Sequence, residues 1–224
     1  MDRLISLKIF RLMVRLVQLF LILFRYTNSS IYTGPFKGYK VEGNAIGSVK
    51  LPKLLGTYEL EISDKIYEIF TDKSMLQFFD VGCAGGYYLS LASQINPGLS
   101  IIGYDTNKNA VDYVTRNLPG VTVHNKEFHF NKISKISDTF ILIDIEGSEE
   151  SLLQEIDPQK LQNVHIIVEL HEDKVKPSFI ETLKLNPNVN SFIPYNPRHN
   201  LRAKNWFGTA ELRSLKTSYI VLSY

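Results

Sequence analysis

Cysteine is nearly absent. Cys83 stands alone among 224 residues, so no disulfide closes within the chain and no zinc site is built from several thiolates. A single thiol fits a reducing compartment, and the expectation is a cytoplasmic protein. Neither charge dominates: 25 Lys and Arg against 23 Asp and Glu leave a net +2. Even that is local, because the first 25 residues carry Arg3, Lys8, Arg11, Arg15 and Arg25 against Asp2, which leaves the rest slightly acidic. The body has no overall pull toward nucleic acid, and no nucleic-acid partner is expected. Long apolar runs are missing too. The longest uncharged stretch near the N-terminus, Leu16 to Phe24, spans about 14 Å as a helix, roughly half the hydrocarbon thickness of a bilayer. Internal repeats and low-complexity tracts are also lacking.

What is present is an ordinary globular composition, 44% hydrophobic and 21% charged, sufficient for one generous domain. Residues 1–26 read as a basic amphipathic helix with Lys8, Arg11, Arg15, Gln18 and Arg25 on one stripe. Two roles fit it. One is peripheral contact with anionic lipid at the inner face of a membrane, and the other is packing on its own domain or in a homo-oligomer. Residues 27–56, rich in glycine and proline, read as a loop-rich connector or lid. From residue 57 to 224 strands and helices alternate. The strands run from Leu76 to Val81, Leu99 to Tyr104, Val121 to His124, Phe140 to Ile143, Val164 to Leu170, Val189 to Ile193 and Thr217 to Ser223. Near-continuous apolar strands joined by helices predict an α/β fold, a mostly parallel seven-stranded sheet covered on both faces.

Small residues in Asp80-Val81-Gly82-Cys83-Ala84-Gly85-Gly86, at a strand-to-helix junction, let backbone approach a ligand closely. Asp105 ends the next strand, where its two oxygens suit the two ribose hydroxyls of an adenosine. A dinucleotide fingerprint wants glycines where Ala84 and Tyr87 stand, and the bulk of Tyr87 is expected to obstruct close helix and strand packing. A nicotinamide dinucleotide is therefore disfavoured. An adenosyl ligand without pyrophosphate, S-adenosylmethionine, fits better.

Acids and a histidine gather at two further strand ends: Asp144 and Glu146, then Glu169 and His171. Carboxyl ends of parallel strands rim the ligand crevice in such sheets. His171 is the candidate base, with Asp144 or Glu169 holding an acceptor hydroxyl. Asp144, Glu146 and Glu169 alternatively supply oxygen ligands for Mg2+. Glu149 reads as a helix N-terminal partner. His124 and His129 have no carboxylate at fixed spacing and are expected to play no part in catalysis, while His165 reads as structural. Between the last strands, the polar insertion Tyr195 to Lys216 carries Arg198, Arg202 and Trp206, suited to an anionic or sugar ligand.

Gly56-Thr57-Tyr58-Glu59, the stretch DVGCAGGYYLSLA from Asp80 to Ala92, and Gly103-Tyr104-Asp105 form one ordered set. With DIEGSE from Asp144 to Glu149 and VELHE from Val168 to Glu172, it resembles the FkbM-type methyltransferases. The resemblance implies a class I Rossmann-like fold and S-adenosylmethionine-dependent methyl transfer, commonly to a hydroxyl of a sugar, glycan or related small molecule. Tyr58, Glu59, Asp80, Gly82, Cys83, Ala84, Gly85, Gly86 and Asp105 then fall to the cofactor. Glu127, after the third strand, matches a position where class I methyltransferases often contact adenine. Alanine at 84 and aspartate at 105 depart from the commonest pattern, and residues 1–55 and those after Pro187 are not covered by it. A catalytically silent scaffold or membrane-recruited module of the same fold is the competing expectation.

Overall fold

The computed structural model describes residues 29–41, 50–195 and 217–224. The predicted helix 1–26 and the insertion bearing Arg198, Arg202 and Trp206 lie outside the described residues. Among those described, no helix is long and apolar enough to cross a membrane.

Six helices and seven strands are named in chain order: α1 Lys50–Leu55, α2 Leu60–Thr71, β1 Gln77–Val81, α3 Tyr87–Ile95, β2 Ser100–Tyr104, α4 Lys108–Asn117 and β3 Thr122–His124. They continue as β4 Ile136–Ile143, α5 Glu149–Gln154, β5 Leu161–His171, α6 Pro177–Lys184, β6 Val189–Pro194 and β7 Thr217–Ser223. The strands form one sheet in the order β3-β2-β1-β4-β5-β7-β6. Pairing is parallel from β3 through β5, while β7 runs antiparallel between β5 and β6. This is the α/β sheet that the apolar strand pattern predicts.

Side chains alternate across the strands and build two cores. Phe78, Phe140, Leu142, Ile167, Tyr219 and Val221 face a layer made by α1 to α4. Phe79, Val81, Ile141, Ile143, Ile166 and Val168 face the opposite layer, with Leu152 and Leu153 of α5 and Leu183 of α6. In the first layer Phe78 stacks on Phe140 at 5.1 Å, and Phe70 of α2 meets both edge-on at 4.9 and 5.6 Å. Each such buried ring contributes about 1.5–3 kcal/mol of transfer free energy.

Two boundaries differ from the sequence reading. Strands β4 and β5 each begin three or more residues early, because Ile136 and Leu161 pair on the sheet although polar neighbours interrupt the apolar pattern. The segment read as loop-rich contains helix α1 and a bridge between Ser30 and Lys40, and its Ile31, Phe36, Val41 and Leu54 are buried in the first core.

At the carboxyl ends of β1 and β4 the sheet order reverses, since β2 and β3 continue to one side and β5 to the other. Doubly wound sheets leave a crevice at such a switch point.

Candidate active site

The turn after β1 is forced by its residues. Gly82 has φ +90°, and a Cβ there would lie 1.7 Å from the carbonyl oxygen of Asp144, so only glycine lets the two chain crossings touch. Ala84 adopts a left-handed φ of 43° where the usual pattern has glycine, a conformation that costs about 1 kcal/mol or more for a residue with a side chain. Its N–H donates to Oδ2 of Asp105 at 2.8 Å, while Oδ1 of Asp105 accepts from Asn107 N at 2.7 Å. The sequence reading gave both carboxylate oxygens to a ligand. Each already takes one backbone N–H, and each retains one further acceptor site.

Around this turn lies a cleft with two lobes that share Gly82, Ala84 and Asp144. The larger, about 450 Å³, is lined by Asp105, Glu127, Phe128, His129, Ile145, Glu146, Leu152 and Glu155. The smaller is lined by Lys53, Tyr58, Glu59, Asp80, Cys83, Gly85, Tyr87, Tyr88, Glu169 and Tyr219. The expected cofactor set therefore divides, with Asp105 and Glu127 in one lobe and Tyr58, Glu59, Asp80, Cys83 and Gly85 in the other. Gly86 lines neither and caps α3 from a left-handed φ of 77°.

In the smaller lobe Glu59 is buried, with a left-handed φ of 47°, and accepts a hydrogen bond from the Tyr88 hydroxyl. Tyr58 and Tyr87 pack edge-on at 5.3 Å. The Tyr87 ring, expected to obstruct helix and strand packing, is turned into this lobe instead. Burial and the neighbouring carboxylates of Asp144, Glu59 and Asp105 push the Asp80 carboxyl well above its ordinary range, with Lys53 opposing them. Burial also pushes the Cys83 thiol up, so its sulfur is no nucleophile and its part in the turn is that of a small side chain.

Glu169 and His171 stay in the extended register of β5, but the acids after β4 do not. Glu146 takes a left-handed φ of 56°, which turns its carboxylate to Lys174 Nζ at 3.0 Å. It thus leaves the oxygen trio Asp144, Glu146 and Glu169 proposed from spacing. The group that does converge is Asp144, Glu169 and His171, each offering an atom within 4.8 Å of the others. A point within about 2.8 Å of all three exists in such a triangle, which is hydrogen-bond range for a hydroxyl.

His171 is 8% exposed and borders the lobes without lining them; its Nε2 lies 3.4 Å from Glu146 and 4.0 Å from Glu169. Its other nitrogen decides the tautomer. Nδ1 meets Oε1 of Glu149 at 2.9 Å, and because a carboxylate only accepts, in the neutral ring Nδ1 carries the hydrogen and Nε2 the lone pair. Glu149 is completely buried; Oε1 also takes the Gly147 N–H, while Oε2 has no hydrogen-bond partner among the described residues. The imidazole thus answers most of a buried charge, and that bond raises the His171 pKa above its ordinary value against the opposing effect of burial. The sequence reading saw in Glu149 only a helix-end acid. Its histidine partner stands 22 residues away, so spacing along the chain did not identify the pair.

A second pair was also missed. His129, expected to lack a carboxylate partner, meets Glu155 through Nδ1 at 2.9 Å and approaches Glu127 through Nε2 at 3.5 Å. Glu155 comes to it from 26 positions away, which spacing along the chain cannot disclose, whereas Glu127 stands only two positions before it and was overlooked. His165 bonds Ser223 Oγ at 3.0 Å, consistent with a structural role.

No protein-family model matches the chain, and no curated protein matches it in sequence. Solved structures do match. The Escherichia coli protein yhhF, described as a methyltransferase, is 12% identical, with a TM-score of 0.53 over 87% of this chain and 96% of that one. An S-adenosylmethionine-dependent methyltransferase of Mesorhizobium loti is 8% identical, with a TM-score of 0.51 over 75% of this chain and 100% of that one. A Listeria monocytogenes protein described in the same terms is 12% identical, with a TM-score of 0.50 over 75% of this chain and 98% of that one. At such identities the likeness is one of fold, and the fold is the Rossmann-like one shared by S-adenosylmethionine-dependent methyltransferases.

Proposed function

We propose that this chain is an S-adenosylmethionine-dependent O-methyltransferase of FkbM type, acting on a hydroxyl of a sugar or glycan acceptor. The observation that carries the reading is the convergence of Asp144, Glu169 and the Glu149-oriented His171 beside a two-lobed cleft at the switch point of the sheet.

The residues fit the cofactor. Phe128, Ile145 and Leu152 give the larger lobe apolar walls for a base, and Asp105 and Glu127 bring acceptors for ribose and amine hydrogens. Acids in the smaller lobe suit an α-ammonium. When bound, the cofactor supplies a sulfonium methyl group, an electrophile whose leaving group is a neutral thioether.

Asp144 or Glu169 would orient the acceptor, and Nε2 of His171 would take the single proton of the reacting hydroxyl as that oxygen accepts the methyl group the cofactor would supply. The imidazolium so formed is stabilised by buried Glu149, with Glu146 and Glu169 beside it. A positioned base of this kind contributes about 10²- to 10⁴-fold in rate.

Calorimetry with S-adenosylhomocysteine, followed by transfer of labelled methyl from S-adenosylmethionine to a panel of glycosides, tests the reading. Binding with a Kd in the micromolar range and label in a methyl ether are expected. Label at nitrogen or carbon acceptors only would refute the O-methyl assignment, and no binding at millimolar ligand would refute the cofactor. A second reading, assistance by a divalent cation in place of the base, is favoured by the same Asp144, Glu169 and His171 triangle. An imidazole in the set suits Mn2+ or Zn2+ better than Mg2+. Turnover lost in chelator and restored by one of these ions selects it.

A further inference from the structure

Within the run Leu51-Pro52-Lys53-Leu54-Leu55 there is one charge, and it is not at the surface. Lys53 is 7% exposed and lines the smaller lobe, its Nζ 4.7 Å from the ring centroid of Tyr58 and 4.8 Å from that of Tyr87. Removing an ammonium from water is costly unless opposite charge or aromatic faces replace the hydration. Here two rings and the acids Glu59, Asp80, Asp144 and Glu169 share the lobe with it.

The position is fixed by backbone. Leu54 O accepts from Tyr32 N at 2.8 Å, Leu55 O accepts from the Thr33 hydroxyl, and Pro52 O accepts from Thr57 N at 2.9 Å. Gly56 closes the turn at φ +73°, and a Cβ there would lie 2.0 Å from Thr33 O. Leu54 is buried beside Ile31 in the core, so Lys53 is carried on a packed element.

One buried cation facing several carboxylates, across a cavity that opens onto an adenosine-sized cleft, complements a ligand carrying both charges. Resting on the methyltransferase reading, we propose that Lys53 binds the α-carboxylate of the cofactor's amino-acid tail, while the acids of the same lobe take its α-ammonium. The tyrosine rings hold the ammonium ready, so little side-chain freedom is lost on binding. The lobe therefore selects the zwitterionic tail over one lacking the carboxylate.

The test measures binding by the full chain of three probes: S-adenosylhomocysteine, its decarboxylated analogue and 5′-methylthioadenosine. The wild-type chain is expected to prefer S-adenosylhomocysteine to the decarboxylated analogue by roughly 10- to 100-fold, the range of a charge-assisted hydrogen bond. Lys53→Met should lose that factor for S-adenosylhomocysteine, keep its affinity for 5′-methylthioadenosine and bind the first two probes alike, while Lys53→Arg keeps part of the preference. Equal affinity of the wild-type chain for the first two probes overturns the proposal without any variant being made. So does a folded Lys53→Met that retains the preference, or that weakens all three probes equally. If the wild-type chain binds none of the probes, the cofactor reading fails and this assignment falls with it.

Discussion

At the end of β5, His171 meets Glu149 through Nδ1 at 2.9 Å; after β3, His129 meets Glu155 through Nδ1 at the same distance. Both pairs fix one tautomer and leave Nε2 toward further carboxylates. They differ in what surrounds them. The His171 and Glu149 side chains are 10% and 0% exposed, whereas those of His129 and Glu155 are 27% and 20% exposed. Water and salt screen the second pair and not the first. His171 also shares its triangle with acids from two strand ends, while His129 lines the wall of the large lobe. The same bond length therefore sits in different surroundings: the buried pair raises the His171 pKa, and the half-exposed pair lies in the wall of the larger lobe.

The sharpest break of this contrast is removal of each imidazole. His171→Ala is expected to lower kcat by about 10²- to 10⁴-fold while S-adenosylhomocysteine affinity stays within about threefold, measured by single-turnover methyl transfer and calorimetry. Unchanged kcat would return His171 to a structural role. Next in size is Asp105→Ala, which removes the proposed ribose acceptor and the acceptor for Ala84 N and Asn107 N together. It should weaken S-adenosylhomocysteine binding by roughly 10- to 100-fold, the value of hydrogen bonds to a charged group. An unaltered Kd would remove Asp105 from the site.

Glu149→Gln probes the buried pair more finely. The raised pKa of His171 means that neutral Nε2 is populated only above a value higher than about 6.5, so kcat should rise with pH along a one-proton limb and then level off. With glutamine the charge is gone but the burial remains, so the limb moves to lower pH and the plateau falls about tenfold. A purely structural role lowers the plateau without moving the limb. The stability linkage has its own sign. A histidine pKa raised in the folded state adds stability that is fully present below the unfolded value and is lost as pH rises through the folded one. The melting-temperature gap between wild type and Glu149→Gln should accordingly be widest in mild acid.

The cofactor turn was legible because its signals are local. A buried strand, a glycine-rich junction and a helix follow one another between Phe78 and Ala92, and the acid on the next strand is in register, with Asp80 opposite Gly103. Residues that meet across the fold were not. Glu149 and His171 are 22 positions apart and His129 and Glu155 are 26 apart; each pair forms only once α5 packs against the sheet. The usable hint was DIEGSE itself, where an acid opens a helix directly beyond a candidate catalytic strand end. Helix α1 was hidden because it has six residues with proline inside and glycine following, and its formation rests on Leu54 in the core more than on propensity. Glu146 misled because spacing by two implies a shared face only in extended chain, and its left-handed backbone ends that register. Among the described residues, three of the six non-glycine positions with positive φ, namely Glu59, Ala84 and Glu146, line the cleft, so rules about regular structure failed where the candidate site is built.

The smallest effect sharpens the comparison from its other side. His129→Ala leaves the triangle of Asp144, Glu169 and His171 intact and removes only a half-exposed ring from the wall of the larger lobe. Its bond to Glu155 is partly screened, so the loss of stability should stay under about 1 kcal/mol in thermal or denaturant unfolding. Glu155 keeps a second partner in the Asn131 N–H, so it is not left as a bare buried charge. Turnover at saturating cofactor should therefore fall by less than about threefold, with any larger change appearing in the KM for S-adenosylmethionine, because the ring touches binding surface and not the reacting atoms. If His129→Ala instead matched His171→Ala in kcat, burial would not be what separates the two pairs, and the base would have to be sought in the larger lobe.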